Sequence, residues 1–595
     1  MIRTLAENAP PPADESSSCS PGGRVVLRWS FFFFQNGAAA ARPCNTVAMR
    51  VLSSLVLMAL GSMAALAACG DTRRSGFEER DNDPVLPGGG TGFDDDGGSV
   101  TELDRDPITC AEAAQARTYV GCDYWATVTG NVVPDVFDFA IVISNSGQTE
   151  ASVKVTGPNG VDVEVKVAPG TLEKVFLPWV TALKGAGLNS PAQSPTPFTS
   201  SILAKKSAYH VVSSAPVVVY QFSPLEYAGK GGPSGKSWSG CPQLGGSGCF
   251  SYTNDASLLM PSTAWTGSYR VTGIHGWSVP GLFGGAEDLL GSFAAITASQ
   301  DGTTVKLALG AKAKILGGTG ISAGNPGDVV ELTLDAGDVA QIVTEKGDKF
   351  DLSGSLVTSD KPVQVISGIQ CINIPEDQTA CDHVEESVLP AEALGKQYVV
   401  TTPTRPAGGS GLHVVRFVGN RDGTTLTYAP SKPAGCPDTL AAGEVAQCDG
   451  TVGEDFIVTG TEEFGVTTFM VGSSMYEANN PQAKGDPSQT IFGSTEQFRT
   501  SYLFLTPDDY DVSYAVVVGP QGAAPVLDGK SLDDGKPLAN GFVVWRATLG
   551  GGKNGAHTLT SAQPVGLQAM GYGAFTSYQF PGGLNAKHIA PPPTK

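Results

Sequence analysis

Short strings recur along this chain at a spacing that points to a repeated β unit. Ser257-Leu258-Leu259-Met260-Pro261 is echoed by Ser387-Val388-Leu389-Pro390, and eight residues after each proline a tyrosine opens an apolar run, Tyr269-Arg270-Val271 and Tyr398-Val399-Val400. Asp301-Gly302-Thr303-Thr304-Val305 is echoed by Asp422-Gly423-Thr424-Thr425-Leu426, each Asp-Gly reading as a turn that feeds a strand. Units close on strands that begin Pro-Val: Ala215-Pro216-Val217, Lys361-Pro362-Val363 and Gln563-Pro564-Val565, with Gly465-Val466 in that place in the third. Successive closings lie 146, 103 and 99 residues apart. Four β units follow, at 110–228, 250–375, 382–478 and 486–580, with 581–595 as a tail. About 100 residues suits a β-sandwich, whereas a propeller blade takes only about 40–50. The expected fold is therefore all-β, a row of tandem β-sandwich-like repeats. A toroidal, propeller-like arrangement of enlarged β units is the alternative.

Local patterning agrees. Ala151, Val153 and Val155 alternate with polar residues, Gly157-Pro158-Asn159-Gly160 turns the chain, and alternation resumes at Val161, Val163, Val165 and Val167. Period-two patterning around Asn-Gly predicts a hairpin. A strand is predicted over Val136–Ile143 and a short helix over Ala111–Arg117. The 75 glycines and only 16% charged residues favour strands and tight turns over helices. Net charge is −20 without any Lys/Arg cluster, which argues against a nucleic-acid partner.

Residues 49–69 have signal-peptide architecture: Arg50, an uncharged run from Val51 to Ala65, then Leu66-Ala67-Ala68-Cys69. The last four residues resemble the bacterial lipobox, so Cys69 is the expected lipidation site and 49–68 the leader. Residues 1–48 lack coherent periodicity and are read as a mis-assigned extension, with Met49 the expected start. Residues 69–107 are Gly-, Asp- and Pro-rich and read as a flexible tether. Cys19 and Cys44 fall in the extension. Eight cysteines remain, Cys110, Cys122, Cys241, Cys249, Cys371, Cys381, Cys436 and Cys448, in four neighbouring pairs separated by 12, 8, 10 and 12 residues. An even count in an exported chain reads as local disulfides, one of which staples the Gly/Ser/Pro-rich loop Gly229–Gly248. No pair has a zinc-knuckle gap, so no metal and no cofactor is expected.

The search for chemistry yields little. His210, His275, His383, His413, His557 and His588 include no helical metal pair. Asp382-His383-Val384-Glu385-Glu386 offers acids around one histidine, and reads as a polar loop entering a strand rather than a metal or acid–base site. Gly408-Gly409-Ser410-Gly411-Leu412 fails as a nucleophile elbow at its last position. Gly235-Lys236-Ser237 and Gly529-Lys530-Ser531 lack the preceding glycine of a P-loop and read as turns. Asp508-Asp509, beside Tyr510 and Asp511, suits a glycosidase cleft only with partners, and without them reads as a solvated turn. Trp179, Trp238, Trp265 and Trp277 suit sugar stacking or packing, with packing the default. No catalytic residue is expected, and the ligand-binding residues stay unassigned.

Pro362-Val363-Gln364-Val365-Ile366-Ser367-Gly368, Cys371, and Cys381-Asp382-His383-Val384-Glu385-Glu386-Ser387-Val388-Leu389-Pro390 resemble the IgGFc-binding protein N-terminal domain family. Ala215-Pro216-Val217-Val218-Val219-Tyr220-Gln221-Phe222 and Asn254-Asp255-Ala256-Ser257-Leu258-Leu259 fit the same pattern. The likeness covers most of 110–480 and weakens beyond it, where the fourth unit lacks Asp-Gly-Thr-Thr. The lipobox and tether resemble those of large-genome environmental bacteria such as myxobacteria. The resemblance implies a secreted, non-catalytic, adhesion-like module. The expectation is an outer-membrane lipoprotein of the bacterial envelope that binds a protein or glycan. A structural envelope or matrix protein, and a secreted hydrolase with a dispersed site, are the alternatives.

Overall fold

The computed structural model describes residues 105–593 apart from 244–247, 282–285, 379–380, 479, 481–482 and 551–554. The expected extension (1–48), leader (49–68), Cys69 and the tether up to residue 104 lie outside the described residues. The description that follows concerns the unit Gly88–Lys595. Among the described residues no helix is long and apolar enough to cross a membrane.

The helix Cys110–Ala116, capped by Thr109, leads into strands. Strands Ala151–Gly157 and Val161–Val167 pair antiparallel from Ala151↔Val167 to Gly157↔Val161. Asn159 and Gly160 take positive φ (60° and 73°) in the turn between them, the conformation for which Asn-Gly is suited. The strand predicted over Val136–Ile143 is observed at Phe139–Ser144, later by three residues because Pro134 to Phe137 form a turn.

Four β-sandwiches follow one plan. The first, second and fourth each close on a long strand that serves both of their sheets. In the first this is Tyr209–Phe222: its N-terminal half pairs with Gly121–Ala126 and Ala151–Gly157, its C-terminal half with Phe139–Ser144 and Ala256–Leu258. Leu356–Ile372 does the same in the second, pairing first with Thr303–Ala308 and Thr266–Arg270, then with Ser292–Ala298 and Asp382–Ser387. Ala556–Gly573 does so in the fourth. Pro216, Pro362 and Pro564 sit where the strand changes sheets, a point at which a missing N–H costs no ladder bond. A serine three residues before each proline, Ser213, Ser359 and Ser561, donates to the carbonyl just before it, of Ala215 (2.5 Å), Lys361 (2.6 Å) and Gln563 (2.7 Å). The third sandwich lacks the proline, and there the closing strand is split into Phe456–Gly460 and Phe464–Met470.

The strand after each closing strand belongs to the sandwich it leaves, and in the first three it leads into the next. These linking strands are Ala256–Leu258, Asp382–Ser387, Gln489–Ile491 and Thr576–Pro581. They touch in cyclic order, first to second, second to third, third to fourth and fourth to first. The tandem sandwiches thus close on themselves, which combines the expected repeats with the toroidal alternative. One hydrophobic core runs from the first sandwich into the fourth, with Tyr220 and Phe580 rings 4.9 Å apart. Bridges between Thr118 and Asn585, and the Tyr220 hydroxyl donating to the Gly582 carbonyl (2.9 Å), complete that seam.

Disulfides join Cys110–Cys122, Cys241–Cys249, Cys371–Cys381 and Cys436–Cys448. The segment Asp382-His383-Val384-Glu385-Glu386 is not a loop: it is a linking strand with every residue buried, because its place is the middle of the ring. Trp238, Trp265 and Trp277 are buried and Trp179 is half-buried, with its indole N–H on the Phe137 carbonyl, so all four are packing residues. Gly235-Lys236-Ser237 lies outside helices and strands, and Asp528-Gly529 turns between the short strands Val526–Leu527 and Lys530–Ser531.

Candidate functional site

Two groups of acidic side chains gather in the ring. The first is axial. Asp255, Asp382, Glu385, Glu386 and Asp486 are fully buried on or beside the linking strands. Asp255 ties three of them together: its carboxylate accepts from Ala256 N (2.9 Å), Glu385 N (3.0 Å), Gln489 N (2.9 Å) and Ser488 Oγ (2.7 Å). Glu385 accepts from Gln221 Nε2 (2.9 Å), Ser257 Oγ (3.2 Å) and Thr129 Oγ1. His383 bridges the Ile369 carbonyl (2.9 Å) and Glu385 (3.3 Å). Burial raises the carboxyls of Asp255, Asp382, Glu386 and Asp486 well above the carboxylate range, and the nearby Asp486 and Asp255 raise Asp382 further. Sealed from solvent and hydrogen-bonded to backbone amides, this cluster joins the linking strands. It offers no entry to a substrate.

The second group opens on solvent at the seam of the first and fourth sandwiches. A cleft of about 460 Å³ lies there, within the size range of small-ligand sites. One wall is the chain that leaves the first closing strand. Tyr227 and Ala228 pair with Ser251 and Phe250 through Ser251 N to Tyr227 O (2.8 Å) and the Ala228–Phe250 bridge. Gly229 follows because nothing larger fits: a Cβ there would lie 2.2 Å from Cys249 Sγ. The Cys241–Cys249 disulfide thereby braces the wall. The opposite wall is the turn between Arg499–Leu505 and Val512–Pro520, which carries Asp509 and Asp511.

Asp509 stitches the walls together. Its Oδ2 accepts from the amides of Tyr227 (3.0 Å) and Ala228 (2.9 Å), while Oδ1 is buried without a partner. Tyr227 donates its hydroxyl to Asp511 (2.9 Å) and stacks on Phe250 with centroids 5.5 Å apart and planes 10° from parallel. Lys484 approaches Asp511 (3.5 Å), and Lys174 pairs with Asp508 (2.6 Å) just outside. Glu226 lines the cleft, and its carboxylate has no ion pair or side-chain hydrogen bond among the described residues. Burial, then the neighbouring Asp509, pushes Glu226 up to about 8; burial pushes Asp509 up to about 6 against its two amide donors.

The solvated-turn reading of Asp508-Asp509 is thus corrected for Asp509. Its partners come from Tyr227 and Ala228, 282 and 281 residues away in sequence, so no local pattern announced them. Glu226 was passed over for the same reason. The histidines do not converge. His210 binds Asp123 (2.7 Å), His557 binds Asp528 (2.7 Å), and His413 is buried with its pKa pushed down to about 4 by burial. Among the described residues no three His, Cys, Asp or Glu side chains are grouped to hold a metal. An apolar crevice of about 20 Å³ between Phe492, Tyr502 and Leu567 is too small for more than a water.

A family model described as "IgGFc binding protein" matches residues 255–571, just over half of the chain. The human "IgGFc-binding protein" is 37% identical over 121 residues, which is 20% of this chain and 2% of that protein. The matched segment therefore spans a very small part of that relative. A solved structure described as a tetra-tandem repeat in the extending region of a large adhesion protein aligns over 78% of this chain and 99% of its own. Its identity is 10% and its TM-score 0.08, a likeness too slight to bear on the fold.

Proposed function

The chain belongs to the IgGFc-binding protein family, and from that premise we propose that it is an exported binding protein of the bacterial envelope, anchored through Cys69. Its β ring holds a protein or glycan partner and performs no chemistry on it. The observation that carries the binding role is the seam cleft, a solvent-open cavity with an aromatic wall, the Glu226 carboxyl and disulfide bracing. The anchor rests on the leader and its lipobox. The four β units at 110–228, 250–375, 382–478 and 486–580 act as one ring in this reading, and the outer membrane is its proposed place, on the ground that Gly70 and not an aspartate follows Cys69.

Cells fed labelled palmitate test the anchor: label should enter this polypeptide and vanish in Cys69→Ser. Glycan arrays and pull-downs with the purified protein test the partner, and self-association alone would favour the scaffold alternative. A second reading has one specific observation behind it. Glu226 near 8 and Asp509 near 6 in one cleft resemble the split pair of a general acid and base. Turnover of a polysaccharide panel, abolished by Glu226→Gln, would establish hydrolysis in place of binding.

A further inference from the structure

The linking strands fix which way the seam cleft faces. Their first residues meet one another: Thr576 Oγ1 lies 3.1 Å from Asn254 Oδ1 and 3.3 Å from Asp382 Oδ2, and the Asp255 carboxylate accepts from the Gln489 amide (2.9 Å). The loops that precede these strands therefore crowd one end of the ring, where Gly472 N donates to Ile374 O (2.8 Å) and Phe575 N to Ala483 O (2.9 Å). Both ends of the described chain lie at the other end of the ring, past the last residues of the linking strands: Asp106 pairs with Arg499, and Ile589 N donates to Glu392 O (2.8 Å). The cleft, lined by Tyr227, Phe250 and Ala574, opens among the crowded loops and away from the chain ends.

Three half-buried aromatic rings lead out of the cleft there. Phe250 lies edge to face with Tyr252 (centroids 5.5 Å apart), and Tyr252 meets Phe575 (6.4 Å). Gly248 keeps side-chain atoms off the Phe250 ring, since a Cβ there would lie 2.8 Å from Phe250 Cε2. Tyr252 and Phe575 hold φ of 57° and 52°, the left-handed region in which a bulky side chain is strained. Phe575 stands in the tight turn between the paired residues Gly573 and Thr576, a place that suits glycine. Both rings stay part-exposed, so full burial does not offset the strain. Neighbouring ring planes differ by 70° and 54°, which makes the strip a bent trough and not a flat shelf. The puckered C–H face of a pyranose fits such a trough better than a planar ring that stacks flat. An apolar segment would leave Glu226, Lys230 and Asp511 in the cleft unanswered, whereas sugar hydroxyls both donate and accept. Glu226, Asp509 and Asp511 outnumber Lys230 and Lys484, which disfavours a sugar carrying its own negative charge.

Resting on the binding role above, we propose that this trough holds a neutral, gluco-configured oligosaccharide, with one pyranose against Phe250 in the cleft and the next along Tyr252 and Phe575. Equatorial hydroxyls leave both faces of such a ring apolar for the aromatic side chains, and turn its polar edge to the cleft. The site faces away from the chain ends, so the sugar is met on the side of the ring opposite the anchor proposed above.

Calorimetric titration of the whole protein with cellotetraose tests this. Phe250→Ala should weaken binding about tenfold or more. Phe575→Gly should weaken it by about as much while the melting temperature stays near the parent's, because glycine relieves the left-handed turn. Tyr252→Phe keeps the ring and should bind within about twofold of the parent. The C6-oxidised tetraglucuronate, which adds a carboxylate to each ring, should bind about tenfold or more weakly than cellotetraose. Undiminished binding in Phe250→Ala and Phe575→Gly, equal binding of the tetraglucuronate, or no binding of cellotetraose by the parent would overturn the proposal. If the parent ignores cellotetraose yet captures a protein partner, the sugar assignment fails alone. If it captures neither, the binding role itself fails.

Discussion

Glu226 ties its own ionisation to the stability of the fold. A carboxyl raised by burial binds its proton more tightly in the folded chain than in the unfolded one. Its contribution is therefore whole below the unfolded value near 4.5 and declines as pH climbs to about 8. Asp509 adds the same trend over the narrower span from near 4 to about 6. Glutamine imitates the protonated form and carries no charge to desolvate. Glu226→Gln should match the parent at pH 4 and exceed it by about 2 kcal/mol at pH 8.5, since partial exposure takes up part of the full linkage. Urea unfolding at both pH values measures the gap, and a gap that fails to widen with pH contradicts the burial of this carboxyl. The acids on the ring axis slope the same way. Burial raises Asp255, but each of its backbone partners is a donor, so removing it leaves three buried N–H groups unanswered. Asp255→Ala should cost about 3–6 kcal/mol, read as a drop in urea midpoint.

At the scale of the element, a tyrosine fixes the corner of each closing strand. Tyr124, Tyr269, Tyr398 and Tyr502 are buried, and each donates its hydroxyl to the carbonyl of the residue where the second half of the strand begins. The acceptors are Val217 (2.6 Å), Val363 (2.6 Å), Phe464 (2.5 Å) and Val565. The Tyr269 oxygen also accepts from Thr266 N (3.2 Å). Tyr269→Phe keeps the ring and strands both groups, so it should cost about 1–3 kcal/mol with an unchanged denaturant slope. A loss no larger than that of an exposed Tyr→Phe change would deny the tyrosine this role. Much of this corner was visible in the sequence. Pro-Val marked where strands change sheets, and Tyr269 and Tyr398 were seen at equal distances from their prolines, because residues that do the same job in each repeat keep the same spacing. The Ser-x-x-Pro pattern carried the same signal unread. What local spacing does not record is pairing across the ring. Asp382 to Glu386 read as a loop because four polar or charged positions in five suggest solvent. Its partners on the other linking strands make burial possible.

For the whole molecule, closure decides how the sandwiches depend on one another. The first lends Ile202–Ala204 to the second, where it pairs with Val339–Val343, and shares a core with the fourth. The second and third are joined by Arg416, buried and paired with Asp351, with a further hydrogen bond to the Gly273 carbonyl. The third and fourth meet at Arg546 and Asp455 (2.6 Å), capped by Thr402. A row of independent beads would unfold bead by bead, whereas a ring whose members complete one another's sheets and cores should lose all four together. Arg416→Met tests this at the seam between the second and third sandwiches. Left alone, Asp351 becomes an unpaired buried charge, costing about 3–5 kcal/mol; the double change Arg416→Met, Asp351→Leu removes both charges and should recover most of the loss. In scanning calorimetry the single variant should move one transition to lower temperature without dividing it. Two resolved transitions would mean that the seam joins separately folding sandwiches. The cleft between the first and fourth would then be a contact that opens on its own, instead of a site held rigid by the closed ring.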